Sequence, residues 1–160
     1  MTIIIVILIL LAVWYFQPAD VWSGYYYNER DMIIIKKSGF TIESQRGDIL
    51  NISGKQMAWN ERMIWKLEGD TLTVIPKNSS VKPDIYIRGP ADIWSGVWYL
   101  SGDDTLNLAR INIDTVRNNH KDEHKIVAGR LLWPGGYMIN TGRKLDYYVE
   151  DKLVRSYLKL

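Results

Sequence analysis

The chain has 160 residues, 47% hydrophobic and 24% charged, with a formal net charge of +2. So even a balance, with no basic stretch interleaved with aromatics, excludes a nucleic-acid surface, and the lack of cysteine excludes a disulfide framework and Cys-based metal or thiol chemistry. Seven Trp and ten Tyr against two Phe suit sheets, barrel ends and interfaces, where a large ring with a polar handle buries area at low cost.

The first element is "MTIIIVILILLAVWYF", uncharged from Met1 to Phe16. Its apolar run Ile3–Phe16 would be about 21 Å long as a helix, against roughly 30 Å of bilayer hydrocarbon. That length also suits a signal peptide, but no Lys or Arg precedes it, and Gln17 stands where a small residue is wanted before a cut after Ala19. Trp14, Tyr15 and Phe16 close the run with rings that favour the membrane boundary. The expectation is an uncleaved single-span signal anchor over residues 1–17. The rest of the chain is expected on the outer, periplasmic or extracytoplasmic side.

After Phe16 the pattern is period two. "MIIIKK" (Met32–Lys37) and "FTIES" flank Ser38-Gly39 as a hairpin; "DILNIS" follows Arg46-Gly47. In "RMIWKLEGD", Met63, Trp65 and Leu67 share one strand face, and "DTLTVIP" and "DIYIRG" complete this half. In "DTLNLARINIDTV" the apolar phase switches between Leu106/Leu108 and Ile111/Ile113, which predicts a β-bulge near Ala109-Arg110. "KIVAGRLLW", "GGYMIN", "KLDYYVE" and "KLVRSYLKL" follow. No apolar stripe at helical spacing is found. The fold class expected is all-β: ten or more short antiparallel strands in a barrel or sandwich, preceded by one N-terminal transmembrane helix.

One phrase occurs twice. "PADVWSGYYY" (Pro18–Tyr27) and "PADIWSGVWY" (Pro90–Tyr99) are identical at seven of ten positions. The stretches they open, residues 18–89 and 90–160, each hold ten Lys/Arg and nine Asp/Glu. The pattern predicts two modules related by internal duplication. Within the phrase, Asp20 and Asp92 are expected to fold their carboxylates back onto backbone N–H groups. Trp22 and Trp94 are expected to plug one end of each module, with Gly24 and Gly96 allowing a close approach. Trp98, like Tyr26, follows on the same strand face. These residues read as a folding signature rather than a ligand pocket.

"SGVWY" (Ser95–Tyr99) resembles the Gly-x-Trp strand that opens lipocalin-like calycin barrels, and "LDYY" (Leu145–Tyr148) with Arg155 loosely resembles later elements of that family. The resemblance covers about fifteen residues and departs from the family's spacing. It implies an antiparallel barrel and, with it, an apolar small ligand as an alternative partner.

Chemistry is thinly represented. His120 and His124 in "RNNHKDEHK" would share a face only on a helix, and the polar stretch reads as a hairpin loop, so no metal is expected. "WSG" is not a nucleophile elbow, "WPGGY" is not a phosphate loop, and the acidic pairs of "EGD", "GDD" and "VED" read as turns. A membrane-anchored, non-enzymatic protein without cofactor is expected, working through protein–protein contact at the cell envelope as an accessory subunit of a membrane complex or as an inhibitor or immunity-type protein. Trp59, Trp65, Trp133 and Tyr137 are the candidate aromatic contacts.

Overall fold

The computed structural model describes residues 2–78, 80–100 and 104–160. The side chains of residues 2, 3, 13 and 14, the "GDD" turn except for Asp104, and the middle of the Asn78-Ser-Ser triplet lie outside that set. The described residues form one helix followed by sixteen strands.

Helix α1 (Thr2–Tyr15) is 14 residues long. Ile4 to Leu11 are each between 49% and 64% exposed, and Tyr15 and Phe16 more so. Among the described residues no helix is long and apolar enough to cross a membrane; a rise of 1.5 Å per residue leaves α1 roughly 9 Å short of the hydrocarbon thickness.

Eight strands then close an antiparallel barrel: β1 (Gly24–Tyr27), β2 (Met32–Ser38), β3 (Thr41–Ser44), β4 (Ile49–Ser53), β5 (Met57–Trp59), β6 (Met63–Glu68), β7 (Thr71–Pro76) and β8 (Asp84–Gly89), paired in chain order. A second closed barrel has the same order: β9 (Gly96–Tyr99), β10 (Thr105–Asn112), β11 (Thr115–Asn118), β12 (Glu123–Val127), β13 (Arg130–Trp133), β14 (Gly136–Asn140), β15 (Lys144–Val149) and β16 (Lys152–Lys159). By contact the chain divides into residues 1–26 with 33–88, and 27–32 with 89–160. Closure leaves no open sheet edge, so every strand's backbone has a partner on both sides.

Alternation decides the interior of each barrel. On β2, Ile33 and Ile35 point in; on β10, Leu106 and Leu108 do the same. Two inner pairs show how the interiors correspond. Ala58 faces Trp65 across β5 and β6, and at the corresponding pair Leu131 faces Met138. Leu72 pairs Tyr86 in the first barrel and Leu145 pairs Tyr157 in the second. A small residue beside a very large one thus fills in one barrel what two medium residues fill in the other.

The structure departs from the sequence pattern in three places. "MAW" forms a strand of its own, too short to show a period. The long runs "DTLNLARINIDTV" and "KIVAGRLLW" are each a hairpin. The first turns at Ile113-Asp114, with a bulge between Arg110 and Asn112. The second turns at Ala128-Gly129, whose φ values of 49° and 76° belong to a tight hairpin turn. "RNNHKDEHK" is only partly loop: His124 lies on β12 and stacks on Trp133 at 4.0 Å between ring centroids.

Candidate functional site

The repeated phrase builds the same closure in both barrels. Asp20 Oδ1 accepts from the N–H groups of Trp22 (3.3 Å) and Ser23 (3.0 Å); Asp92 Oδ1 accepts from those of Trp94 (3.0 Å) and Ser95 (3.2 Å). The carboxylate turns the chain so that Trp22 and Trp94 drop into the barrel, where they are 0% and 3% exposed. Ser23 Oγ accepts the Lys37 N–H, and Ser95 Oγ accepts the Arg110 N–H, tying the approach to the second strand of each barrel. Gly96, at φ 141°, lets the Lys159 side chain of the last strand lie over it: a Cβ there would sit 2.9 Å from Lys159 Cε.

Four residues past each tryptophan the ring turns back to it. Tyr26 donates its hydroxyl proton to the Trp22 carbonyl (2.9 Å), and Trp98 donates its indole N–H to the Trp94 carbonyl (3.0 Å). A cation from the final strand covers each ring, Arg88 over Tyr26 and Lys159 over Trp98, both at 5.1 Å. Arg88 also donates to the Tyr26 hydroxyl (2.6 Å) and to the Val21 carbonyl. Burial holds the Tyr26 phenol above its ordinary pKa, against the pull of the Arg88 charge. Burial alone would raise the Asp20 carboxyl, but the Ser23 and Trp22 N–H donors and the Lys37 charge outweigh it and hold it low. These residues lock first strand to last. Arg155, which entered through the calycin resemblance, lies exposed on β16.

The four candidate contact aromatics fall in different surroundings. Trp59 is 43% exposed on the outer face of β5. Trp65 is 1% exposed and belongs to the core, because the face it shares with Met63 and Leu67 is the inner one; it is not a surface contact. Trp133 packs partly against the second core and covers His124. Burial there holds the His124 imidazole below its ordinary pKa, more than the nearby Asp122 charge raises it. Tyr137 is on the outer face, stacked on Tyr148 at 5.4 Å and 11°, with its hydroxyl donating to Asp151 (2.7 Å).

Tyr137 belongs to a row that spacing alone does not reveal. Leu132 pairs Tyr137, Tyr137 pairs Tyr148, and Tyr148 pairs Leu153, so four outward apolar side chains stand side by side across β13–β16. The corresponding positions of the first barrel hold Trp59, Ile64 and Ile75, again directly paired. Fixing the inner phase of each strand first, then reading the opposite phase across the hairpins, would have found both rows.

Two indole N–H groups, Trp22 Nε1 and Trp65 Nε1, are buried in the first barrel with no acceptor among the described residues. His, Cys, Asp and Glu side chains form no metal-holding group of three among those residues. Compared with known protein families, curated proteins and solved structures, the chain matches none.

Proposed function

We propose that this chain is a membrane-anchored, non-enzymatic β protein that works by protein–protein contact at the cell envelope, as an accessory subunit of a membrane complex or as an inhibitor or immunity-type protein. The observation that carries the reading is α1: it has no charge, is apolar on every side, and is half or more exposed from Ile4 to Leu11, apart from Ile5 at 49%. A helix that is apolar all round does not rest in water. It also lacks the polar face of a helix that lies flat on a membrane. Membrane insertion meets this, with the short length met by local thinning of the bilayer or by association with other spans. The outer aromatic and aliphatic rows supply the contact surfaces.

Alkaline extraction of membranes carrying the full chain, beside a chain lacking residues 2–16, tests the anchor. The full chain is expected to stay with the membranes and the shortened one to be released. Equal release of both would sink the anchor. Protease added to sealed membranes reports the side on which the barrels lie. Extraction in mild detergent then tests the contact: a defined larger complex supports it, and an 18.6 kDa monomer under every condition refutes a resident partner.

A second reading, a tethered carrier of an apolar small molecule, has one observation in its favour: the two acceptor-less indole N–H groups inside the first barrel. Against it, both interiors are occupied by their own side chains, with Trp22, Trp65 and Trp98 among the wholly buried. Native mass spectrometry after exposure to fatty acids and isoprenoids separates the two; a persistently ligand-free protein removes the carrier.

A further inference from the structure

We propose that the outer face of β13–β16 docks a protein segment that sets a carboxylate beside its apolar side chains. This rests on the protein-contact reading and names its site and the chemistry of the partner.

Leu132 and Leu153, at the ends of the row, are 47% and 56% exposed. Three strand spacings separate them, about 14 Å in all, enough for two or three side chains of an incoming segment. Arg130 stands beside the row. Its guanidinium lies over the Tyr137 ring at 4.5 Å from the centroid. That ring is gripped in turn, by Tyr148 on its face and by Asp151 at its hydroxyl. The cation–π contact anchors the guanidinium beside the row, and its N–H groups have no hydrogen-bond or ion-pair partner among the described residues. A planar donor fork already fixed in place loses little freedom when it takes up a carboxylate through two parallel hydrogen bonds.

The segment that carries the row is net positive. Residues 130–160 contain six Lys/Arg and three Asp/Glu. Two of the three acids are engaged, Asp151 with Tyr137 and Asp146 with the Ser156 hydroxyl. The first barrel has Met57 where the second has Arg130, and the cation beside its row, Lys66 opposite Met57, is already paired with Glu68 at 2.7 Å. The acidic preference therefore belongs to the second barrel. A single fixed cation set against an apolar row fits a peptide carboxylate better than a lipid surface, which gains from several free cations at once.

The test places a photo-reactive benzoylphenylalanine at Leu132 of the full chain in its native membranes, with a second probe position at Trp59. From position 132 the expected product is an adduct with one protein, at a segment holding Asp or Glu next to apolar residues. Arg130→Glu should lower its yield by about tenfold or more, the loss of a charge-assisted pair, while Arg130→Lys keeps part of it. Both side chains are exposed, so folding is checked by circular dichroism only. An adduct with lipid alone, with a segment lacking acids, or with a yield unchanged by Arg130→Glu overturns the docking site. If position 59 gives a protein adduct and position 132 none, the site falls and the protein-contact reading stands. If neither position gives one, both fall.

Discussion

Replacing Leu131 by Ala tests whether the two interiors are filled by matched pairs. Leu131 is fully buried and faces Met138 across β13 and β14. Truncation removes three carbon groups at about 0.8 kcal/mol each, roughly 2.4 kcal/mol of transfer. It adds about 24 cal/mol for each Å³ that stays empty. A barrel wall hydrogen-bonded on both sides has little room to collapse, so the loss should be ~3–5 kcal/mol, the range for such changes. The second step sets Met138→Trp on that background and recreates the Ala58–Trp65 pair of the first barrel. The ring should refill the space and recover about half of the loss, a coupling that residues in contact show and distant ones do not. Urea unfolding of the full chain in detergent gives the free energies, and amide exchange shows whether protection falls first in β10–β15. A double variant no more stable than Leu131→Ala, or a single loss under about 1 kcal/mol, would refute matched filling of the two interiors.

The closure makes an unequal prediction. Arg88→Ala removes two hydrogen bonds, a ring contact and an ion pair with Asp70 and should cost about 2–3 kcal/mol, whereas Lys159→Ala removes a ring contact worth about 0.5–1 kcal/mol; equal losses by thermal unfolding would contradict it. The Asp20 carboxyl is held low in the folded state. Its contribution is therefore present above the unfolded value near pH 4 and lost as pH falls through the folded one, so Asp20→Asn should flatten stability below about pH 4. For His124, lowered by burial, folding favours the neutral ring and stability declines as pH falls from about 6.5 toward the folded value. His124→Leu, which installs the residue at the corresponding inward position Leu50, should raise stability and abolish that decline in denaturation curves between pH 5 and 7. Lys121 has φ 69° in the turn where the first barrel has Gly47 at 81°, and Lys121→Gly should gain about 1 kcal/mol; a loss on urea unfolding would show that its side chain matters more than the backbone.

What was legible from the chain and what was not follows from the range of the forces involved. Period-two alternation is set by the pleat itself, so Ile33, Ile35, Leu106 and Leu108 announced strands and their shared face without tertiary information. The doubled phrase announced two modules, because Asp20 and Asp92 act on N–H groups two and three residues ahead, within reach of local reasoning. Which face turns inward was not local. Met63, Trp65 and Leu67 share a side whichever way the strand faces, and only barrel closure made that side the core and took Trp65 from the surface. His124 looked like loop because its neighbours are polar, yet pairing with β11 turned it inward against Trp133. The cations were the least legible. Arg88, Lys159 and Arg130 meet the rings they cover only where strands far apart in the chain, or facing across a hairpin, come into register. Local sequence determined strands, turns and the repeat. The tertiary pairing alone decided which aromatics fill the barrels, which stand outside, and which cation each ring receives.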